Sequence, residues 1–202
     1  MNVALIGASG NIGSRILSEL SRRGQRVTAI ARNPQRIPVA DGVTPVAGDV
    51  FDPAGLAALL SGHDAAISSV HFLASDPVRL VDAVRAAGVR RYLVVGGAGS
   101  LEVAPGVALV DTPDFPAAYK AEATKGGEFL QLLRGVADLD WTFLSPSAVI
   151  FPGERTGRFR LGGDQLLVGP EGSRISMEDY AVALVDELEA PAHSRRRFTV
   201  GY

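Results

Sequence analysis

The first thirteen residues constrain the fold of this chain more than any other stretch. A short apolar run, Val3 to Ile6, is followed by glycines at Gly7, Gly10 and Gly13. Such a run is long enough for a strand buried on both faces, and the apolar periodicity of a helix begins among the glycines, at Ile12. A strand, a glycine turn and a helix together direct free backbone N–H groups and the positive end of a helix dipole at a phosphate. We therefore expect a dinucleotide site at this end of the chain.

The spacing of these glycines also carries a family resemblance. Gly7 to Gly13 reads G-x-x-G-x-x-G, which resembles the extended and atypical short-chain dehydrogenase/reductases. It resembles in particular the NAD(P)H-binding, NmrA-like branch, which includes the NADH-flavin reductase type of protein. The resemblance implies an α/β fold with a doubly wound parallel sheet (a Rossmann fold) and a small C-terminal lobe on the substrate side. The turn residues expected to contact the cofactor are Gly7, Ser9, Gly10, Asn11, Ile12 and Gly13.

The bulk composition indicates one globular domain. A chain of 202 residues suits a single domain, within which we assign 147–202 to the substrate-side lobe. Apolar residues make up 47% of the chain, which is ample for a core. The net charge of −2 argues against a general nucleic-acid binder, which usually has a basic excess. Because cysteine is absent, disulfides, thiolate metal sites and thiol nucleophiles are excluded.

The sequence shows no sign of a secretory or membrane destination. Its amino end lacks the charged flank and the cleavage site of a signal peptide, and no stretch reaches the ~20 apolar residues of a membrane span. The three histidines, His63, His71 and His193, are too far apart to suggest a metal site. We expect a cytoplasmic protein without a metal, a membrane or a nucleic-acid partner, acting as a monomer or homodimer on a small molecule.

Cofactor choice is indicated at the end of the second predicted strand, Arg26 to Ala31. An acidic residue near this point holds the ribose 2′-hydroxyl in NAD-selective domains, whereas an arginine accommodates a 2′-phosphate. No acidic residue occurs between Glu19 and Asp41, and Arg32 follows the strand directly. The alternative is that Arg32 is a solvated loop residue with no part in binding. The pattern favours NADP(H) over NAD(H).

The chain continues as a series of strand–helix units, which predicts a doubly wound parallel sheet. The further predicted strands are Val43 to Ala47, Asp64 to Val70, Arg91 to Val95, Asp140 to Leu144 and Arg197 to Val200. Ligands of such sheets bind beyond the carboxyl ends of the strands. The remaining expected cofactor contacts follow these ends: Asp49, Val50, Ser68, Ser69, Val70, Gly97, Ala98, Pro146 and Ser147. For Asp49 the resemblance implies a place against the adenine, and an aspartate bonded to its own turn is the alternative.

Local signals predict several further details. Asp52 and Ser176 are expected as helix N-caps, and either Ser75 or Asp76 caps the helix between them. Pro53 and Pro77 stand at the starts of the first two of these helices. Residues 101–116 are expected to form a loop over the active site. The fifth helix, from about Pro116 to Arg134, is expected to be interrupted at the glycine pair 126–127. Two short segments of the lobe resemble strands, Arg158 to Leu161 and Gln165 to Val168. The loop arginines Arg155, Arg158 and Arg160 are candidates for contact with an anionic substrate. The alternative is that these arginines are solvated surface cations.

The expected catalytic pattern of the family is incomplete. Short-chain reductases usually carry Tyr-x-x-x-Lys, whose spacing places both side chains on one helix face so that the ammonium lowers the pKa of the phenol. Here Tyr119 and Lys120 are adjacent, and adjacent helical residues point about 100° apart. Ser100 is a candidate for the serine that normally accompanies the pair. Tyr119 remains the candidate catalytic residue, expected to line the acceptor site.

Hydride transfer to a flavin or quinone-like acceptor does not require the Tyr–Lys pair. The negative charge of the reduced acceptor is delocalised, and the acceptor takes its proton from water. Such a reaction depends more on positioning than on an acid. The sequence therefore favours an NAD(P)H-dependent oxidoreductase that passes hydride from NADPH to a flavin or quinone-like acceptor. The alternative is a non-catalytic, NADP(H)-sensing regulator of the NmrA kind. A sugar-nucleotide epimerase is disfavoured by the small lobe and the broken Tyr–Lys pattern.

Overall fold

The computed structural model describes residues 1–202 as a doubly wound α/β fold, confirming the predicted fold class. Its twelve strands are β1 (Asn2–Ile6), β2 (Arg26–Ala31), β3 (Val43–Ala47), β4 (Ala65–Ser68), β5 (Arg91–Val95), β6 (Glu102–Ala104), β7 (Val107–Ala108), β8 (Asp140–Ser145), β9 (Val149–Phe151), β10 (Arg160–Gly162), β11 (Arg174–Ser176) and β12 (Arg196–Gly201). Its five α-helices are α1 (Asn11–Arg22), α2 (Pro53–Leu60), α3 (Pro77–Ala86), α4 (Ala117–Arg134) and α5 (Met177–Glu189).

Eight of the strands form the main sheet, in the order β10-β12-β8-β5-β4-β1-β2-β3. All neighbouring strands are parallel except β10, which runs antiparallel to β12 at the edge. The order reverses beside β1, where successive units of the chain build outward in opposite directions. Ligands of open α/β sheets bind beyond the carboxyl ends of the strands at such a reversal.

Helices cover both faces of the sheet and enclose two apolar cores. Alternate residues of β1 point to opposite faces, so that Val3 and Leu5 pack with α1 and α5 while Ala4 and Ile6 pack with α2, α3 and α4. Because both faces are covered, β1, β4 and β5 are apolar along nearly their whole length.

The predicted N-caps Asp52 and Ser176 are confirmed, and of the two candidates for α3 the cap is Asp76 and not Ser75. The carboxylate of Asp52 accepts a hydrogen bond from the backbone amide of Gly55 at 3.0 Å. The hydroxyl of Ser176 accepts the corresponding bond from the amide of Asp179 at 3.0 Å. The carboxylate of Asp76 caps α3 by accepting a hydrogen bond from the amide of Val78 at 2.9 Å. These side chains satisfy amides that the helix itself leaves without acceptors.

The segment 147–202, assigned from sequence to a substrate-side lobe, is divided between two places. Strands β9 and β11 form a small separate parallel sheet. Helix α5 packs on α1, and β12 adds to the main sheet beside β8. The loop before β10 is bound to α1 through the ion pair of Arg155 with Glu19, whose side chain is 4% exposed. Helix α5 and strand β12 of this segment therefore contribute to the core of the fold.

Several local predictions were wrong. Helix α4 runs without interruption through Gly126 and Gly127, because Gly126 is required by packing rather than by a break: a Cβ there would lie 2.7 Å from the ring of Phe72. The loop 101–116 contains the hairpin of β6 and β7. Residues 165–168 form no regular strand, whereas β9 and β11 were not foreseen. None of the five helices combines the length and apolar character that a membrane crossing requires.

Candidate functional site

A cleft of about 400 Å³ lies beyond the carboxyl ends of β1, β2, β4 and β5. The glycine turn and the start of α1 form one wall, and residues that follow β2 and β3 close one end. At the other end lie Val95 and Gly96 of the β5 terminus, Phe72 after β4, Glu122 of α4 and Met177 of α5. The cleft therefore stands at the reversal of strand order, where the topology predicts a ligand.

Each of the three glycines in the turn has its own structural reason. Gly7 has a positive φ of 84°, and a Cβ there would lie 2.0 Å from the carbonyl oxygen of Ser69. A Cβ at Gly13 would lie 2.1 Å from the carbonyl oxygen of Gly7. Gly10 is different, because it is exposed to the cleft and the nearest atom to its Cβ would be the Gly7 oxygen at 3.3 Å. Gly7 and Gly13 thus serve the fold, while Gly10 leaves space in the cleft.

Helix α1 begins at the cleft without a side-chain cap. Gly10 is its N-cap residue, no side chain accepts from its first amides, and no acidic residue stands in its first turn. The opening amides of a helix lack intrahelical acceptors and carry the positive end of the helix dipole. Together with the space beside Gly10, they fit the pyrophosphate of a dinucleotide.

Two charged side chains, Arg32 and Asp49, lie at the end of the cleft that is formed by residues after β2 and β3. Arg32 follows β2, is exposed, and lines the cleft. Asp49 follows β3 and also lines it. One carboxylate oxygen of Asp49 accepts the amide of Phe51 at 2.9 Å, so the aspartate does bond its own turn, which was the alternative drawn from sequence, while it still faces the cleft. Arg32 is placed where an arginine meets an adenosine 2′-phosphate.

Most residues expected to contact the cofactor lie in this cleft, and six do not. Those that line it are Gly7, Ser9, Gly10, Asn11, Ile12, Arg32, Asp49, Val50, Ser69 and Val70. Those that do not are Gly13, Ser68, Gly97, Ala98, Pro146 and Ser147. Gly13 packs behind the turn. The hydroxyl of Ser68 lies 2.9 Å from that of Tyr92 inside the sheet, and the hydroxyl of Ser147 donates to the carbonyl of Val200 at 3.0 Å.

Tyr119, which the sequence predicts to line the acceptor site, does not line the cleft. Tyr119 lies in the first turn of α4, its residue is 67% exposed, and it is not part of the cleft wall. Lys120 is exposed, and Lys125 pairs with Glu128 at 2.6 Å on the outer face of the helix. The helix face that meets the cleft begins one turn later, because residues three apart share a face, and it presents Glu122.

Glu122 was not identified from sequence, and it is the most extensively bonded side chain of the cleft. Its two carboxylate oxygens accept the amides of Phe72 and Leu73 at 2.8 and 2.9 Å. The first oxygen also lies 3.3 Å from Nδ1 of His71. The available signal was an acidic residue on the helix that carries the family tyrosine, but its partners lie some fifty residues earlier in the chain.

Arg155, Arg160 and Ser100 serve the fold, and Arg158 is exposed and does not line the cleft. The guanidinium of Arg155 donates twice to Glu19 at 2.7 Å, and Arg160 donates to backbone carbonyls. Ser100 accepts from Arg197 at 3.0 Å. No group of acidic and histidine side chains is arranged to hold a metal ion. The cleft beside α1 is therefore the place where the predicted residues converge.

This fold and this cleft define a nucleotide-binding Rossmann protein. The model of the NAD(P)H-binding family matches residues 7–191, and the chain belongs to that family, as the sequence resemblance implied. A solved structure of a "putative NADH-flavin reductase" from Streptococcus pneumoniae TIGR4 is 36% identical with a TM-score of 0.84, over 100% of this chain and 99% of that one.

Two further solved structures are similar over the whole chain. One is a "putative exported protein" from Burkholderia pseudomallei, 50% identical with a TM-score of 0.90, covering 100% of both chains. The other is a "putative epimerase" from Bacteroides thetaiotaomicron, 41% identical with a TM-score of 0.94, covering 100% of this chain and 96% of that one.

Proposed function

We propose that this protein is an NADPH-dependent reductase that transfers hydride to a flavin or quinone-like acceptor. The observation that carries the proposal is the arrangement of one continuous cleft. An uncapped helix start and the open side of Gly10 lie along it, Arg32 lies at one end, and an apolar region lies at the other. A dinucleotide needs each of these in that order: an arginine for the 2′-phosphate, amides for the pyrophosphate and a dry surface for the nicotinamide.

Preference for NADP(H) rests on Arg32. Its guanidinium stands at the end of β2, and none of the ion pairs of the structure includes it. An arginine that has no carboxylate partner keeps its donors available for a phosphate, to which it binds in a bidentate manner. No acidic side chain follows β2 to take a ribose 2′-hydroxyl in its place.

The nature of the acceptor follows from the other end of the cleft. Val95, Phe72 and Met177 present apolar surface beside the β5 terminus, which suits a flat aromatic or quinonoid ring. Bound NADPH would supply the hydride, and the chain holds the acceptor against it. The likeness to the streptococcal protein named as an NADH-flavin reductase supports the same class of acceptor.

The second candidate function is a regulator that senses NADP(H) without turnover. The position of Tyr119 outside the cleft and the outward ion pair of Lys125 favour it, because the pair used for carbonyl chemistry in this fold does not form. The same observation argues against an epimerase, in spite of the likeness to the Bacteroides protein.

Oxidation of NADPH with a panel of flavins and quinones separates the two candidates. The reductase account expects steady turnover with at least one flavin or quinone, and the Gly10→Val variant, which blocks the pyrophosphate position, should abolish it. Tight NADPH binding with no turnover of any acceptor would contradict the reductase and favour the sensor. Absence of NADPH binding would contradict both.

A further inference from the structure

His71 and Glu122 form a pair of ionisable side chains at the acceptor end of the cleft. His71 comes from the loop after β4 and Glu122 from α4, and both line the cleft. Nδ1 of His71 lies 3.3 Å from a carboxylate oxygen of Glu122. The histidine side chain is otherwise 87% exposed, so that its Nε2 is open to a ligand, while that of Glu122 is 29% exposed.

The carboxylate is held in place by the backbone beside the histidine. Glu122 accepts the amides of Phe72 and Leu73, and the ring of Phe72 is in turn packed against Phe143, with ring centres 6.4 Å apart, and against Gly126. The loop that carries His71 is therefore fixed to α4 at the point where the two side chains meet. A histidine whose one nitrogen faces a fixed carboxylate and whose other nitrogen is free has the arrangement of a general acid.

We propose that His71 is the proton donor of the reaction, that Glu122 is its positioning residue, and that the acceptor is a quinone. The proposal rests on the proposed reductase function and narrows its acceptor. A quinone that gains a hydride becomes an anion with its charge on oxygen. The Nε2–H bond of the imidazolium breaks, the proton passes to that oxygen, and the hydroquinone and neutral imidazole remain. Water then returns a proton to His71.

The pair takes the role that Tyr-x-x-x-Lys has in related reductases. It is built from the same helix, α4, but one turn further along it and with its donor supplied by the β4 loop. A reduced flavin is stable as an anion and needs no such donor, so that a flavin serves as an internal control for the proton step.

The first test compares quinone and flavin turnover by four proteins: wild type, His71→Asn, Glu122→Gln and the double variant. His71→Asn should lower kcat for menadione by about 10²-fold, the lower end of the range for a positioned general acid, and should lower kcat for FMN by much less. Glu122→Gln should lower menadione kcat more than it raises KM, and Glu122→Asp should restore part of it. Glu128→Gln, on the outer face of the same helix, is the matched control and should behave as wild type.

The double variant distinguishes positioning from structural support. If Glu122 acts through His71, its replacement has no further effect in the His71→Asn background. Independent losses that multiply would overturn the positioning role, and unchanged menadione turnover in His71→Asn would overturn the proton donor while leaving the reductase intact.

An equilibrium measurement tests the pair without turnover. 4-Nitrophenolate stands in for the reduced oxyanion, and its absorption reports whether its oxygen is ionised. Wild type saturated with NADP⁺ should bind it at least about tenfold more tightly than His71→Asn, the value of one charge-assisted hydrogen bond. Equal binding by both proteins would contradict the proposal even if no acceptor were turned over.

Discussion

The carboxylate of Glu122 accepts the backbone amide of Phe72 at 2.8 Å, and this bond joins helix α4 to the loop after β4 across the mouth of the cleft. The sequence resemblance implies that helix α4 corresponds to the helix that carries the tyrosine and lysine in short-chain reductases. In this chain the helix meets the cleft through a carboxylate, and its tyrosine faces solvent. Glu122, and not Tyr119, is therefore the ionisable residue that α4 brings to the cleft.

Replacement of Tyr119 by phenylalanine should have little effect on catalysis. The phenol is exposed and has no cation on its own helix face, so that it lacks the surroundings of a general acid. We expect turnover to fall by less than about tenfold, below the ~10²–10⁴-fold of a positioned acid. Steady-state NADPH oxidation by both proteins, with cofactor affinity measured separately, checks this. A hundredfold fall at unchanged affinity would mean that α4 turns Tyr119 into the cleft when an acceptor binds.

Replacement of Arg32 by alanine should weaken NADPH binding selectively. The guanidinium is expected to donate charge-assisted hydrogen bonds to the 2′-phosphate, which NADH lacks. We expect a loss of about 1.5–3 kcal/mol for NADPH and almost none for NADH. Calorimetric titration of both cofactors measures this loss of affinity. The matched control is Arg90→Ala, because Arg90 is an exposed arginine that directly precedes β5, at the amino-terminal ends of the strands. An equal loss for the two cofactors would make Arg32 a structural residue.

The two adjacent glycines of α4 should respond oppositely to alanine. Alanine in a helix interior is more stable than glycine by about 0.5–1 kcal/mol, and a Cβ at Gly127 would meet only the Ser100 side chain at 3.6 Å. At Gly126 a Cβ would enter the ring of Phe72 at 2.7 Å, and overpacking costs about 1–3 kcal/mol. Urea unfolding of both variants tests the difference. Equal stabilisation of the two would show that Phe72 does not require the space at Gly126.

The ion pair of Glu19 and Arg155 should make stability depend on acid pH. Hydrogen bonds from Arg155 keep the pKa of Glu19 below its ordinary value of 4.5, although burial acts in the opposite direction. A carboxyl with a lowered folded-state pKa stabilises the fold above the unfolded-state value and loses that contribution as the pH falls through the folded-state value. The free energy of unfolding should therefore decrease below about pH 4.5.

Glu19→Gln provides the comparison for that pH dependence. At neutral pH it should lower the free energy of unfolding by about 1–3 kcal/mol, since it removes charged hydrogen-bond partners from Arg155 and Arg23. Its decline below pH 4.5 should be shallower than that of wild type. Parallel denaturant titrations across the pH range give both quantities, and identical acid slopes would rule out Glu19 as the titrating group.

The sequence predicted the parts of the molecule that depend on neighbouring residues. Strand β2 and strand β3 have the predicted bounds, and Asp52, Asp76 and Ser176 cap their helices, because apolar runs and caps act over a few residues. The cofactor end of the cleft was predicted for a related reason: parallel strands bring their carboxyl ends to one edge of the sheet.

The acceptor end could not be predicted in the same way, because it depends on contacts between distant parts of the chain. Glu122 gains its place from amides fifty residues away, and Gly126 is glycine because the ring of Phe72 lies against it. Short β9 and β11 pair with each other across intervening chain, and neither has the length or alternation of an independent strand.

Binding of NADPH to wild type and to Gly10→Val, measured by calorimetry, tests the central claim most directly. Gly10 has a φ of −76° and ψ of 169°, which any residue adopts, and its position is exposed, so the variant should fold. Gly13→Val is the contrasting variant, because its Cβ would meet the carbonyl oxygen of Gly7 at 2.1 Å and should destabilise the protein. We predict that wild type binds NADPH and that folded Gly10→Val does not. Unchanged affinity in Gly10→Val would contradict the assignment of the cleft to the cofactor.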